Sequence, residues 1–250
     1  MVQKWRHAGI ACLMVVLSGC AAQAPKKPVV VAEPSADEKE VLDGVRMIES
    51  GQIQAAIDGP LTDVINRYET KYAHSPDRIY SARGPAQSLL YLMVAAADMD
   101  KGTAPADRRN SIALGPAWAM AYWARGYAYS DMARYPEAET EVKKALALSP
   151  NDAQYTGELA YIYQAQKRTE ESLALYTAMP DMIPTMDGWS DTLKNEFRCK
   201  ALRGQGYDLV ELKRYDEAVV AYKACMKIIP GEPKSKAEVG YIESVRRKGG

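Results

Sequence analysis

Histidine is nearly missing: His7 and His74 are the only two in 250 residues. Zinc clusters and histidine-activated nucleophiles therefore lack their usual parts. No glycine-rich loop follows a strand to cradle a phosphate, and no convincing strand is visible. Basic and acidic residues balance at 32 each, so the positive surplus that nucleic acid demands is absent. The apolar run 89–97 is too short to cross a bilayer and suits a buried helix. Asp98, Asp100 and Gly102 resemble the start of a calcium loop, but its twelfth position is Arg109, where a bidentate acid is needed. That stretch reads as a helix end and linker. The acids Asp58, Asp63 and Asp77 show no pairing that would make a catalytic dyad, which leaves an enzyme the least favoured reading. No metal and no cofactor is expected. His74, beside Ser75 and Pro76, is a turn residue.

Phenylalanine occurs once and tyrosine sixteen times, so amphipathic rings replace apolar ones. The N-terminus has its own logic. Lys4, Arg6 and His7 precede an apolar stretch from Ala8 to Leu17, and Leu17-Ser18-Gly19-Cys20 follows. Charge, apolar length and tetrapeptide in that order resemble a bacterial lipoprotein signal peptide (residues 1–19), whose processing site ends at the lipid-accepting cysteine. The resemblance implies that Cys20 heads the mature chain and carries acyl chains that anchor it to a membrane. The same resemblance implies, from Ala21 where enterobacterial lipoproteins kept in the inner membrane have aspartate, an outer-membrane anchor facing the periplasm. The alternatives are an uncleaved anchor, for which the stretch is short, and an ordinary secretory signal cut near Ala22. Pro25, Pro28 and Pro34 make the segment after Cys20, within residues 20–35, a semi-rigid tether whose fifteen residues from Ala21 to Ser35 reach roughly 45 Å at about 3.1 Å per residue. Losing Lys4 and Arg6 leaves 30 basic against 32 acidic residues, again against nucleic acid.

The second half repeats. Gly126-Tyr127, Ala160-Tyr161, Gly206-Tyr207 and Gly240-Tyr241 stand 34, 46 and 34 residues apart. Twelve residues beyond the first three small residues come Ala138, Ser172 and Ala218. Pro116, Pro150, Pro184 and Pro230 punctuate the same register. A 34-residue period with these parts resembles the tetratricopeptide repeat closely. The resemblance implies an all-α superhelix of helical hairpins, in which Gly126 and Ala138 are small where two antiparallel helices cross. Arg125 departs from it, standing where the family usually has leucine. The implied units are residues 117–150, 151–184 and 185–230, the last with an inserted segment 185–196 and an extended first helix capped by Ser190 or Asp191. Residues 231–250 form a capping helix. Pro180 is expected to end its helix early.

Residues 36–116 read as a helical region of degenerate repeats that continues the superhelix, an independent domain being the alternative. A helix from Glu38 to Glu49 stops at Ser50-Gly51, Gly59-Pro60 breaks the next, and Leu61, Val64, Ile65, Tyr68 and Tyr72 share one face. Asp107 to Leu114 is taken as the second helix of a pair beginning near Pro85.

In this family the first helices of successive repeats line a concave groove. The resemblance places Tyr127, Tyr161, Tyr207 and Tyr241 in a row there, flanked by Trp123, Gln164, Arg203 and Glu211. Tyrosine and arginine suit recognition, although rings of this kind also serve as core. Cys199 and Cys225 fall at facing ends of one hairpin, where they form either a disulfide or two buried thiols. The implied function is a non-catalytic scaffold holding an envelope protein or peptide, as an accessory subunit of an envelope assembly. A peptidoglycan or glycan binder is the alternative.

Overall fold

The computed structural model describes residues 34–100 and 109–249. The signal segment, Cys20, the tether up to residue 33 and the stretch from Lys101 lie outside them. Eleven α-helices and two short strands follow in the order α1 (Ala36–Glu49), α2 (Ile53–Ala56), a π turn (Ile57–Leu61), α3 (Thr62–Tyr72), β1 (Arg78–Ser81), α4 (Pro85–Asp100), β2 (Ser111–Leu114), α5 (Ala117–Asp131), α6 (Tyr135–Leu148), α7 (Ala153–Ala165), α8 (Thr169–Met182), a 3-10 turn (Ile183–Thr185), α9 (Asp191–Glu211), α10 (Tyr215–Ile228) and α11 (Pro233–Gly249).

Three hairpins, α5–α6, α7–α8 and α9–α10, carry the repeat. A Cβ on Gly126 would stand 2.6 Å from Val142 Cγ2, and one on Gly206 would stand 2.6 Å from the Tyr222 ring. Only glycine lets these helix pairs approach so closely. Arg125 is not a packing fault: its guanidinium meets Glu141 at 2.5 Å and Thr62 Oγ1 at 3.1 Å, both pairs largely buried.

Each hairpin turns the same way. Ala133, Lys167 and Lys213 hold positive φ (56°, 62° and 58°) at equivalent places. The next amide closes the helix, from Arg134 to Tyr129 O (2.8 Å), Arg168 to Tyr163 O (2.9 Å) and Arg214 to Leu209 O (2.8 Å). The residue between donates to Ser130 O, Gln164 O and Val210 O, which completes a Schellman motif each time. The arginine then pairs with a glutamate in the following first turn, Glu137, Glu171 or Glu217. Acids there also suit the helix dipole.

Pro180 does not end α8. Its missing amide would have met the carbonyl of Tyr176, and Gln205 Nε2 donates to that oxygen instead, at 2.9 Å. Gly59-Pro60 does break its helix: Gly59 leaves helical geometry (φ −108°, ψ −111°) between α2 and α3, and Thr62 Oγ1 donates to Ile57 O at 2.6 Å. Helix α1 begins at Ala36 with a capping box, Ser35 accepting from Glu38 N and Glu38 accepting from Ser35 N. Its Val41 and Ile48, with Leu61, Val64 and Ile65, share one core with α5, α6 and α7.

Two expectations fail between α3 and α5. Residues 111–114 are a strand, not a helix, and β1 pairs with β2 in parallel, Arg78 opposite Ser111 and Ser81 opposite Leu114. Four-residue strands leave too short an alternation to read. Helix α4 joins them and is not buried all round. Gln87, Tyr91 and Ala95 face inward, whereas Leu89, Met93 and Val94 are exposed. A uniformly apolar run hides which face is covered. No helix among the described residues is long and apolar enough to cross a membrane. The inserted segment fastens α4, because Asp187 Oδ2 accepts from the amides of Ala86 (2.8 Å) and Gln87 (3.1 Å) at its N-terminus.

Candidate functional site

The first helices of the three hairpins bring one row of tyrosines together. Tyr161 and Tyr207 are 46% and 41% exposed, which marks them as surface rings rather than core. Tyr127 is half-buried. In each pair the small residue turns toward the second helix, and its tyrosine neighbour, about 100° round the helix, is left facing away from it.

Two clefts meet at Tyr161. One, of about 280 Å³, is lined by Tyr127, Ser130, Asp131, Ala133, Tyr135, Glu158 and Tyr161. The other, of about 400 Å³, is lined by Tyr161, Gln164, Tyr176, Lys200, Arg203, Gly204, Tyr207, Tyr222, Lys234 and Glu238. Their charges differ in sign. The first holds two acids and no base, and the second holds three bases and one acid. Burial pushes the Glu158 carboxyl above its usual range against the opposing charge of Lys200, and burial pulls the Lys200 ammonium below its own.

Of the residues expected in the groove, Tyr127, Tyr161, Gln164, Arg203 and Tyr207 line these clefts. Gln164 is also structural, since its Nε2 donates to Asp208 Oδ1 at 2.9 Å. Arg203 leans toward Glu232 at 3.5 Å. Trp123 does not line either cleft; it stacks on Tyr127 and Tyr155, with ring centroids 5.9 and 6.1 Å apart. Glu211, at the end of α9, and Tyr241, on α11, are exposed outside both linings. Tyr241 lies apart because α11 packs on α10 as a single helix with no second helix of its own. Sequence reasoning missed Glu158, Lys200 and Tyr135. Glu158 and Lys200 lie two residues before Ala160 and six before Gly206, each within reach of the groove-facing side of its first helix, and that offset was the available signal.

Cys199 and Cys225 are joined by a disulfide across the α9–α10 hairpin, with Cα atoms 4.6 Å apart. Among the described residues, the sole grouping of side chains at metal-ligand distances is this pair with Glu232, but the disulfide uses both sulfurs and Arg203 lies against the carboxylate.

Hairpins of this geometry, stacked through one another's cores, define the class of tetratricopeptide-repeat solenoids, which are protein-interaction scaffolds. The family model described as tetratricopeptide repeat matches residues 119–152, which take in the α5–α6 hairpin. Among solved structures it is similar to that of Pseudomonas aeruginosa pilF, at 15% identity over 85% of this chain and 69% of that one, with a TM-score of 0.55. That likeness is one of fold. A Bacteroides ovatus protein aligns at 12% identity over 86% of this chain and 99% of its own, but its TM-score of 0.37 is too low to bear on the architecture. No curated protein matches the sequence.

Proposed function

We propose that this chain is a non-catalytic binding protein, lipid-anchored through Cys20 at the periplasmic face of the outer membrane, whose groove holds a segment of an envelope protein. The observation that carries the reading is the tyrosine row of half-buried Tyr127 and exposed Tyr161 and Tyr207, running through two clefts of opposite charge. Large rings with directional hydroxyls, set among fixed charges, suit a peptide that presents side chains at intervals. The lipobox resemblance of Leu17 to Cys20 supports the anchor, and the proline-rich tether would let the solenoid stand off the membrane. Work as an accessory subunit of an envelope assembly follows from that placement and from the absence of a catalytic constellation in the sequence.

The test is affinity capture from envelope extracts with the wild-type chain and a Tyr161→Ala/Tyr207→Ala double variant. Because both rings are more than two-fifths exposed, the variant keeps its thermal midpoint close to that of wild type. A protein retained by wild type and lost from the folded variant supports the groove. Equal retention contradicts it.

A further inference from the structure

The smaller cleft, between α5 and α7, has an unusual composition. Three tyrosines, Tyr127, Tyr135 and Tyr161, surround it together with Asp131 and Glu158, and no basic side chain lines it. Glu158 is 7% exposed and makes no ion pair among the described residues; Lys200, whose charge it feels, lies in the neighbouring cleft. Ser130 is 6% exposed, and its Oγ, close to Glu158, has no partner at hydrogen-bonding geometry. A hydroxyl has thus been removed from water without a partner at hydrogen-bonding geometry, beside a carboxylate that is itself largely buried. Such groups cost stability unless something else meets them. Tyrosine faces carry negative potential and attract a cation placed over them.

We propose that this cleft is a cation-binding subsite that takes a lysine or arginine side chain of the bound segment. The alkyl stem lies against Tyr127 and Tyr161, and the charged head sits between Glu158 and Asp131 with the Ser130 hydroxyl as a further acceptor. The inference rests on the groove reading above and gives it a direction: the basic residue of the partner is held at the α5 end, and the cleft with Lys200, Arg203 and Lys234 lies beyond Tyr161.

The experiment is a ¹H–¹⁵N NMR titration of the full chain with N-acetyl-lysine methylamide, N-acetyl-arginine methylamide and the uncharged N-acetyl-norleucine methylamide. The cationic probes are expected to shift the amides of Ser130, Glu158 and Tyr161 saturably. The norleucine probe, and the lysine probe on Glu158→Gln, are expected to bind about tenfold more weakly, the effect of losing one well-placed charge contact. Tyr161→Leu, at an exposed site, serves as a second variant with the same expected loss. Equal binding of lysine and norleucine probes, or unchanged binding to both folded variants, overturns the assignment. If the probes fail while cross-linking from Tyr207 still captures a protein, the cation subsite is wrong and the groove stands; if both fail, the groove falls with it.

Discussion

Replacing Gly126 by alanine adds one methyl group, and the structure sets two opposing effects against each other. The new Cβ would stand 2.6 Å from Val142 Cγ2 and 3.2 Å from both Ala138 O and Val142 N. Val142 is fully buried and β-branched, so its side chain has little room to rotate away. The backbone contacts require α5 and α6 to separate. Overpacking of this kind costs about 1–3 kcal/mol. Alanine in a helix interior recovers about 1 kcal/mol relative to glycine. The net effect is a loss of up to about 2 kcal/mol by the same figures. Gly240 provides the control. It occupies the same register on α11, but no heavy atom lies within 4 Å of its virtual Cβ. There only the helix preference acts, and Gly240→Ala should stabilise by about 0.5–1 kcal/mol. Urea denaturation of the three proteins, followed by far-ultraviolet circular dichroism, reads both changes. If Gly126→Ala is as stable as Gly240→Ala, the close crossing of α5 and α6 is not what selects glycine.

Three further outcomes follow from particular groups. Asp208 is buried and accepts hydrogen bonds from Ser172 Oγ (2.7 Å) and Gln164 Nε2 (2.9 Å); burial nevertheless pushes its pKa from 3.8 up to about 6. The unfolded chain therefore gives up this proton first, so the Asp208 contribution is intact below about pH 4 and declines as pH rises to about 6, by at most roughly 3 kcal/mol. Asp208→Asn keeps partners for both neighbours and should flatten that decline in urea titrations between pH 4 and 7; a stability difference from wild type that stays constant with pH refutes the argument. Thiol counting on the unreduced, denatured mature protein should find neither Cys199 nor Cys225 reactive, and two reactive thiols would exclude the bridge. Metabolic labelling with palmitate should mark the wild-type chain and not Cys20→Ala, while equal labelling would place the lipid elsewhere.

The repeat half of the molecule was legible because its signals are local and recur. Gly126 with Ala138, and Gly206 with Ala218, announce the hairpin crossings, and Ser190 announces the start of α9 through the bond its side chain accepts from Leu193 N. The early end assigned to Pro180 went wrong because the residue that rescues the helix, Gln205, comes from the next hairpin. The region between α3 and α5 was hidden for a related reason. Its strands hold one another across more than thirty residues, and the cap of α4 is Asp187, a hundred residues away. In the candidate site, Tyr127, Tyr161 and Tyr207 were reached through the repeat register and the family resemblance together, whereas Tyr241 lies outside both clefts. Trp123 was misplaced because an aromatic at groove spacing can also stack inward on Tyr155, and no local pattern separates the two. Glu158 and Lys200 escaped notice because isolated charges on a helix usually face solvent.

The most direct test of the groove is a photo-crosslinking residue at Tyr161 in living cells, with Lys223 on the exposed side of α10 as control. The account predicts one envelope protein joined from Tyr161 and not from Lys223. No adduct specific to Tyr161, in a protein shown to be folded and lipidated, would contradict it.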